Sequence, residues 1–440
     1  MVRGCVASVA GVTGCVLAGS PALGQLPQSV AGYEVLARGV FDGPGFMLPP
    51  LSQMTNVTPR INNNGDVTFS YFDANIDKVI WVNGQSVTAP FFSTSDPNLN
   101  DAGTVVWRVS TLDPDPLNWG VWTHELSSGV TSRLTTNPLG ASGWGTPTIN
   151  EAGDIATRAG FALNDALGIY SGTSFTPVAV DDSLPFTFLG STLGWNDSRL
   201  IAARANRAGA ADGIFVFDET GAFTDAVLDG DASPSGDTFT GFLNGVDIND
   251  SGRVAVNTFT SGGYEIVGVD SSFSAGTTIT VYADEDDGVV SDIALFNPRI
   301  NSDGWIVFRA FNAAGEQAVF VGDGEDLLEI AAVGTQVDTD AGLGTITGFS
   351  GGVDINDEGQ ALVNAALEGR SGSLGRAIIR VDLVDQCRAD TNGDGLVTPQ
   401  DFGAWVQAFN AGAPACDQNG DGLCTPQDFG SWVQNFNAGC

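Results

Sequence analysis

Two 12-residue segments near the C-terminus place oxygen-bearing side chains at the spacing that a calcium ion needs. They read DTNGDGLVTPQD, from Asp390 to Asp401, and DQNGDGLCTPQD, from Asp417 to Asp428. Calcium takes six to eight oxygen ligands, and a 12-residue loop supplies them from positions 1, 3, 5, 7, 9 and 12, with glycine at position 6 for the turn. The predicted ligands are Asp390, Asn392, Asp394, Leu396 (through its carbonyl), Thr398 and Asp401 in the first loop, and Asp417, Asn419, Asp421, Leu423 (through its carbonyl), Thr425 and Asp428 in the second.

The distribution of charge supports this assignment. From Ala389 onward the chain has six acidic residues, all of them at predicted ligand positions, and it has no Lys or Arg. A merely solvated acidic surface would not place its charges so selectively, although two Gly-Asp turns without metal are the alternative interpretation. We therefore predict two calcium ions, one in each EF-hand-type loop.

One helix is predicted after each loop. Apolar residues at i, i+3, i+4 and i+7 form one stripe of a helix, and Gly412 and Gly439 are suitable helix stops. The two stripes are Phe402, Trp405, Val406 and Phe409, and then Phe429, Trp432, Val433 and Phe436. The loops begin only 27 residues apart, which is too short for two complete helix–loop–helix units.

This arrangement resembles a dockerin, a small calcium module that binds a cohesin partner. The resemblance implies paired EF-hand loops and attachment to a cohesin-like or cell-envelope protein. Loop positions 10 and 11 often carry a Ser-Thr type pair in dockerins, whereas here they are Pro399-Gln400 and Pro426-Gln427. The terminus Gly439-Cys440 is similar to that of a bacterial subclass thought to anchor proteins at the surface.

Cysteine positions predict disulfide bonds in this module. Four of the six cysteines lie in it, namely Cys387, Cys416, Cys424 and Cys440. An even number of cysteines in a small exported module is typical of disulfides, and four cysteines allow three pairings. We favour Cys387–Cys440, which would join the two ends of the module, and Cys416–Cys424, which would bracket the second loop. A zinc site competes with this interpretation, but the module lacks a C-x₂-C pair and its ligands are hard oxygens.

Residues 1–24 are predicted to be a secretory signal peptide. Arg3 gives a short basic start, the segment from Cys5 to Ala18 is apolar and small, and Ala22-Leu23-Gly24 offers a cleavage site. A short buried strand or helix is the alternative. No later stretch of 18 apolar residues occurs, so we expect no transmembrane span and a secreted or cell-surface protein.

Composition limits the partners. The net charge is −35, with 17 basic residues in 440. Such a balance argues against nucleic acid or an anionic membrane as partner, because both repel an acidic surface. Glycine accounts for 58 residues, which together with many Asn and Asp indicates a turn-rich β protein.

An apolar-Asn-x-x-Gly-x-apolar pattern recurs seven times in the long middle of the chain. Its asparagines are Asn62, Asn100, Asn150, Asn196, Asn249, Asn301 and Asn356, with gaps of 38 to 55 residues. In the copy at Asn196, Arg199 stands where glycine is expected. The array is similar to a family of exported bacterial tandem-repeat proteins named for an Asn-x-x-Gly-x-x-Ala-Phe motif, whose biochemical role is unknown.

Seven such units predict an all-β, seven-bladed β-propeller. Asn and Gly favour the turn of a hairpin, and the residues after each glycine alternate as strands do. Three or four strands for every 50 residues or so match a propeller blade, whereas the runner-up, an open β-solenoid, usually has shorter repeats. The segments Tyr33 to Ala37 and Ala377 to Asp382 should then meet in one blade or in adjacent blades, because an open ring would leave unpaired sheet edges. The predicted domains are the propeller at residues 25–384 and the small α-helical dockerin-like module at residues 385–440.

The sequence offers two classes of function. No G-x-S-x-G, H-E-x-x-H or P-loop motif occurs, which favours a non-catalytic propeller for binding or display. The alternative is a dockerin-borne glycoside hydrolase or other polysaccharide-degrading enzyme, since many pairs of acids could serve as catalytic carboxylates. Polysaccharide is a candidate ligand in either case, because several tryptophans could stack on sugars, although strand aromatics more often belong to the core. These tryptophans are Trp81, Trp107, Trp119, Trp122, Trp144 and Trp305.

Overall fold

A computed structural model of the chain shows seven antiparallel sheets followed by two helices within the part that it describes. The described residues are 26–27, 29–41, 43–88, 91–134, 141–181, 185–209, 211–272, 276–285, 287–384, 389–392, 397–418 and 423–438. The seven sheets are the blades of a β-propeller, so the predicted fold class and blade count are confirmed. The predicted signal peptide lies outside the described residues.

Each blade is built from consecutive strands that pair as antiparallel hairpins. The first strand in the chain is β1 (Ser29–Gly39), which belongs to the seventh blade. The first three blades are formed by β2 (Arg60–Ile61), β3 (Val67–Phe72), β4 (Lys78–Val82), β5 (Gln85–Ser86), β6 (Asn98–Leu99), β7 (Thr104–Val109), β8 (Gly120–Glu125), β9 (Val130–Arg133), β10 (Gly143–Trp144), β11 (Thr148–Ile149), β12 (Ile155–Gly160), β13 (Asp165–Ser171) and β14 (Ser174–Val180). The fourth and fifth blades are formed by β15 (Phe186–Trp195), β16 (Ile201–Arg207), β17 (Asp212–Phe217), β18 (Phe223–Leu228), β19 (Phe239–Ile248), β20 (Arg253–Thr260), β21 (Tyr264–Ser272) and β22 (Gly276–Asp284). The last two blades contain β23 (Val290–Ile293), β24 (Arg299–Ile300), β25 (Ile306–Asn312), β26 (Gln317–Gly322), β27 (Leu327–Ala332), β28 (Gln336–Thr339), β29 (Gly342–Phe349), β30 (Asp354–Ile355), β31 (Gln360–Gly369) and β32 (Gly372–Val384). The helices are α1 (Pro399–Ala411) and α2 (Gln427–Ala438), with a short 3₁₀ turn at Pro414–Cys416 between them.

The first and last strands close the ring. Strand β1 does not belong to the first blade but pairs with β32 at the outer edge of the seventh, where Tyr33 faces Val381 and Val35 faces Ile379. The ends of the array therefore meet in one blade, as predicted, and the solenoid is excluded. Ala37 also packs with residues of the first blade, including Phe69, so the closure is both hydrogen-bonded and apolar.

Apolar side chains fill the space between neighbouring sheets. For example, Ile214 and Val216 of the fourth blade share one buried cluster with Val254 and Val267 of the fifth. Successive side chains of a strand point to opposite faces, so a strand that is apolar on both faces packs against two neighbouring blades at once. The continuous apolar runs after each motif glycine are explained by this two-sided burial.

Each motif asparagine closes a tight turn at the end of its innermost strand. Its Oδ1 accepts a hydrogen bond from the backbone N–H four residues later, over 2.8 to 3.0 Å in all seven copies. The glycine three residues after the asparagine has φ between +71° and +87° in six copies, a conformation that favours glycine. Arg199 adopts the same left-handed conformation, with φ of +58°.

The same asparagine side chains also link each blade to the next. In six of the seven copies the Nδ2 amide donates to the backbone carbonyl of the next motif asparagine, and the bond from Asn356 to Asn62 completes the circle. The donors are Asn62, Asn100, Asn196, Asn249, Asn301 and Asn356, at 2.8 to 3.3 Å from their acceptors. We call this set of seven side chains the asparagine ring.

The ring has one gap, at the degenerate repeat. The Nδ2 of Asn150 is buried and has no hydrogen-bond partner among the described residues. At the same junction Arg199 bonds to Asp154 of the preceding blade and to Glu219 of its own blade, the latter at 2.5 Å. An ion pair thus joins the third and fourth blades where the asparagine link is missing.

We predict that the asparagine ring contributes measurably to the stability of the propeller. Asn100→Ala removes two hydrogen bonds, one to Thr104 and one to Asn150, whereas Asn150→Ala removes only the bond from Asp154. Since a buried hydrogen bond contributes about 1 kcal/mol, Asn100→Ala should destabilise the protein by about 1 kcal/mol more than Asn150→Ala. Urea unfolding followed by tryptophan fluorescence measures the difference, and equal losses in the two variants would contradict the role of the Nδ2 bond.

Candidate functional site

The C-terminal module repeats one local structure twice. Thr398 caps the N-terminus of α1 and forms a capping box with Asp401, and proline occupies the first turn. The left-handed Gly412, with φ of +61°, ends that helix, as predicted. Both predicted helices are present, and each begins at the last positions of its predicted loop.

Position 12 of each loop is a buried carboxylate that binds the start of its own loop. Asp401 accepts backbone N–H bonds from Asn392 at 3.1 Å and from Thr398 at 2.8 Å. Asp428 accepts backbone N–H bonds from Gln418, one position earlier in its loop than Asn392, at 3.0 Å and from Thr425 at 2.7 Å. Both side chains are fully buried, so each loop is folded around its twelfth residue.

The described residues fit a calcium ion. Burial alone would raise the pKa of Asp401, but hydrogen bonds from Thr398 and Asn392 outweigh it and hold this pKa below its usual value. Its side chain also contacts that of Asp390, so the carboxylates of positions 1 and 12 lie side by side. The remaining predicted ligands Asp394, Leu396, Asn419 and Asp421 lie outside the described residues. Among the described ones, no three His, Cys, Asp or Glu side chains meet at one point.

The core of the module is small and contains a disulfide. Cys416 and Cys424 are bonded, with Cα atoms 5.6 Å apart, which is the pair expected for the second loop. Cys416 packs in one cluster with the buried Trp405 and Trp432. Cys387 and Cys440 lie outside the described residues, so the bond between them stays a prediction.

Part of the predicted apolar stripe of each helix is exposed. Phe402 is 40% exposed and Phe429 is 46% exposed, and their rings lie 5.9 Å apart. Val406 and Val433 are exposed beside them. The four side chains form one apolar surface that is shared by the two helices, which we call the helix-pair patch.

A second candidate site lies at the centre of the propeller. The asparagine ring surrounds a funnel of about 280 Å³. Its rim is formed by the residue that follows each motif asparagine, and five of these seven residues are acidic. The rim consists of Asn63, Asp101, Glu151, Asp197, Asp250, Ser302 and Asp357, and the apolar residues before the asparagines also line the funnel.

Backbone hydrogen bonds hold the rim side chains in place. The N–H of one rim residue donates to the side chain of the next, as from Glu151 to Asp197 at 2.7 Å and from Asp197 to Asp250 at 2.8 Å. Burial and the charges of neighbouring rim carboxylates raise the pKa of Glu151 and of Asp250. Sequence reasoning missed this site, although aligning the seven repeats shows an acid after asparagine in five of them.

A buried ion network lies two residues before the motif asparagines. Asp354 is 3.3 Å from Arg60 and 3.7 Å from Arg299, and Arg299 is 3.0 Å from Asp247. Burial raises the pKa of Asp247 to about 7 and that of Asp354 to about 6, although the charge of Arg60 opposes both shifts. The network therefore holds two carboxyls that titrate near neutral pH.

Most of the tryptophans considered for sugar stacking belong to the core. Trp81, Trp107, Trp144 and Trp305 are at most 7% exposed. Trp119 packs, partly buried, against the cluster shared by the second and third blades, and Trp122 packs against the cluster shared by the first and second. Stacking of a sugar on the first four side chains is therefore excluded in this fold.

Comparison with known proteins adds only fold-level likeness. No protein-family model and no curated protein matches the chain. An oligogalacturonate lyase structure from Vibrio parahaemolyticus is similar, with 10% identity, a TM-score of 0.48, and coverage of 82% of this chain and 97% of the other. YCF48 from Cyanidioschyzon merolae has 8% identity and a TM-score of 0.45, covering 80% of this chain and 99% of the other. The BP39L lectin from Burkholderia pseudomallei has 10% identity and a TM-score of 0.43, covering 73% and 97%. Enzymes and non-enzymes both occur among such structures, and none of these likenesses decides the function.

No helix among the described residues is long and apolar enough to cross a membrane.

We predict that the buried carboxyls make stability fall as the pH rises. A carboxyl whose pKa is raised by folding binds its proton more tightly in the folded state. Its contribution to the free energy of unfolding is complete below the ordinary pKa of 3.8. The contribution is lost as the pH rises through the folded-state pKa values, which are about 6 for Asp354 and about 7 for Asp247. In Asp247→Asn one of these carboxyls is absent, so the loss of stability between mildly acidic and mildly alkaline pH should be smaller than in the unaltered protein.

Urea unfolding at both pH values, with excess calcium throughout, measures the loss. Asp338→Asn is the control, because Asp338 is exposed on strand β28 and makes no ion pair among the described residues. An unchanged pH dependence in Asp247→Asn would contradict the prediction.

Proposed function

We propose that this chain is an exported, non-catalytic propeller protein for binding or display, attached to a surface or partner protein by a calcium-dependent dockerin-like module. The observation that carries the proposal is the repeated structure of the two C-terminal loops. Each loop folds around a buried Asp at position 12, and each continues directly into a helix of similar length. Export rests on the predicted signal peptide at residues 1–24.

Calcium would couple to the folding of the module. The described core contains Trp405, Cys416 and Trp432 with a few partly buried neighbours, which is little for an independent domain. Six carboxylates within about 40 residues repel one another when no cation neutralises them. Because the unfolded chain holds no preformed site, the free energy of binding the metal becomes free energy of folding.

The helix-pair patch is the surface that we assign to the partner. Exposed aromatic rings rimmed by polar residues are typical of protein interfaces. Phe402 and Phe429 occupy equivalent places on the two helices, so the patch forms only when both loops position their helices. A cohesin-like or cell-envelope protein that docks there would therefore bind in a calcium-dependent manner.

The competing function is a glycoside hydrolase or other polysaccharide-degrading enzyme. The two described carboxyls with strongly raised pKa values, Asp247 and Asp354, are engaged in ion pairs with Arg299 and Arg60. Their ion pairs support a structural role for them. Incubating the purified protein with a panel of polysaccharides distinguishes the functions, because binding without release of reducing ends supports display and release of reducing ends supports an enzyme.

We predict that the module binds two calcium ions and gains helix on binding them. Asp394→Ala and Asp421→Ala should each remove one ion, since each deletes a carboxylate ligand at position 5 of its loop. Isothermal titration calorimetry counts the ions, and circular dichroism follows the helices. Gln400→Ala alters an exposed residue of the first loop that is not a predicted ligand, and it should leave two ions bound. A count of zero or one in the unaltered protein would refute the calcium assignment.

We also predict that the helix-pair patch mediates the calcium-dependent attachment. Phe402→Ser combined with Phe429→Ser should abolish calcium-dependent retention on the source cell envelope, because it removes the exposed rings but no calcium ligand. The control pair is Phe41→Ser with Phe92→Ser, which removes two exposed rings of the propeller instead. Retention that survives the first pair, or that persists in a calcium chelator, would contradict this role.

A further inference from the structure

A groove of about 740 Å³ lies between the first and second blades, beside the central funnel. Its walls include the turn between β4 and β5 on the first blade and the turn between β8 and β9 on the second. The outer strand of the first blade is short, since β5 has two residues whereas β14 of the third blade has seven. A short outer strand covers little of the neighbouring blade. The volume lies within the range of about 300 to 1,000 Å³ that is typical of ligand sites.

The only histidine of the chain lies in the wall of this groove. His124 on β8 is 7% exposed, and its Nδ1 is 2.8 Å from the hydroxyl oxygen of Thr131. That hydroxyl donates its single proton to the carbonyl of Val87, at 3.4 Å, so Nδ1 must be the donor of the first bond. The other ring nitrogen, Nε2, then has a free lone pair. It accepts no hydrogen bond among the described residues, yet it is not sealed from solvent.

The imidazole can serve only as an acceptor in the groove. Burial lowers the pKa of His124, although the charge of Glu125 opposes the shift, so the ring is neutral at neutral pH. With the proton on Nδ1, Nε2 must receive its hydrogen bond from whatever occupies the groove. A largely buried acceptor without a partner is unfavourable, so the groove suits an occupant that carries a hydroxyl or an N–H group.

The remaining polar groups favour a neutral ligand. The two carboxylates of the groove, Asp66 and Asp101, already accept hydrogen bonds on both oxygens from neighbouring asparagines. Their charge repels an anion, while their oxygens are engaged by the protein. The exposed side chains of Gln85 and Ser127, by contrast, make no hydrogen bond among the described residues. The groove therefore offers neutral donors and acceptors at several points.

Aliphatic side chains complete the lining. Val87 and Leu126 line the groove and lie, partly buried, against the apolar cluster between the first two blades. A sugar presents hydroxyl groups around its edge and C–H groups on its faces. A mainly polar groove with an aliphatic part can therefore contact both.

We propose that this groove binds a neutral oligosaccharide of hexose units, with a sugar hydroxyl donating to Nε2 of His124. Further hydroxyls bond to the side chains of Gln85 and Ser127, and the ring carbons lie against Val87 and Leu126. The inference rests on the proposed binding function and names the ligand class of the propeller.

The single histidine makes the test specific to the groove. Full-length protein with carbon-13-labelled histidine, at neutral pH and with saturating calcium, gives one imidazole Cε1–H signal by NMR. Cellotriose, maltotriose and galactotriose are titrated separately, and at least one of them should shift this signal to saturation. Trigalacturonate, which is anionic, should leave the signal unchanged. No shift with any neutral sugar, or an equal shift with trigalacturonate or with spermidine, would overturn the proposal.

Two substitutions of the histidine separate contact with the ligand from support of the fold. His124→Asn keeps an amide that can donate to Thr131 in place of Nδ1, but it leaves nothing at the position of Nε2. Calorimetry should show about a fivefold weaker affinity for the sugar, the factor expected for one ordinary hydrogen bond. His124→Gln can place its amide oxygen near the position of Nε2, and its affinity should stay within about twofold. A larger loss in His124→Gln than in His124→Asn would overturn the contact.

Filling the groove gives an independent test. Ser127→Trp adds a large side chain at the exposed edge of the groove and should abolish binding of the sugar. The control is Thr173→Trp, which adds the same bulk to the exposed turn between β13 and β14 of the third blade and should leave the affinity unchanged. Binding that survives Ser127→Trp, or equal losses in the two variants, would place the sugar elsewhere and overturn the groove assignment.

Failure of this inference can be told apart from failure of the proposed function. If no neutral sugar shifts the histidine signal but calcium fills the module, the groove assignment is wrong and the attachment function stands. If a sugar shifts the signal and the protein cleaves it, the groove assignment stands and the non-catalytic function is wrong.

Discussion

In six of the seven blades, one asparagine side chain joins the turn of that blade to the backbone of the next. Its Oδ1 fixes the local turn, and its Nδ2 reaches across the blade boundary, so the two ends of one amide connect local and long-range structure. Because every ring asparagine is buried, an unmade bond would leave a polar group without water. Six such bonds support the circle of seven blades, while strand pairing at the closure and apolar packing between sheets provide most of the stability.

The junction at the degenerate repeat shows how the ring tolerates a change. Arg199 takes the place of a glycine and accepts the strain of a left-handed backbone. Its ion pairs with Asp154 and Glu219 connect the two blades at the point where Asn150 makes no bond. A link based on charge has replaced one based on an amide, and the Nδ2 of Asn150 stays buried without a partner among the described residues.

The C-terminal module is stabilised in a different way from the propeller. The propeller is stabilised by extensive apolar packing between sheets, whereas the module has a small core and concentrates its acids in two loops. In each loop the position-12 carboxylate organises backbone N–H groups around itself, and the helix starts immediately after it. Small domains of this kind depend on disulfides or metals, and the bonded pair Cys416–Cys424 provides one such support.

The sequence by itself determined the elements whose signals are local. Six Asn-x-x-Gly turns and one degenerate copy at Asn196 predicted seven hairpins, and hence the blade count, because such turns depend only on neighbouring residues. The apolar stripes from Phe402 to Phe409 and from Phe429 to Phe436 predicted both helices for the same reason. The pairing of Tyr33 to Ala37 with Ala377 to Asp382 was also predictable, since a closed ring must pair its two ends.

Only the tertiary structure decided what residues from different blades do together. The charge of Asp197 or Asp250 looks ordinary within its own repeat, and it becomes part of an acidic rim because seven repeats converge on one axis. The stripe residues Trp405 and Phe402 look equivalent in the sequence, yet one is buried and the other exposed, because the packing of the two helices covers only part of each stripe. Local patterns specify turns, strands and helices, whereas convergence and exposure depend on contacts between residues that are dozens or hundreds of positions apart.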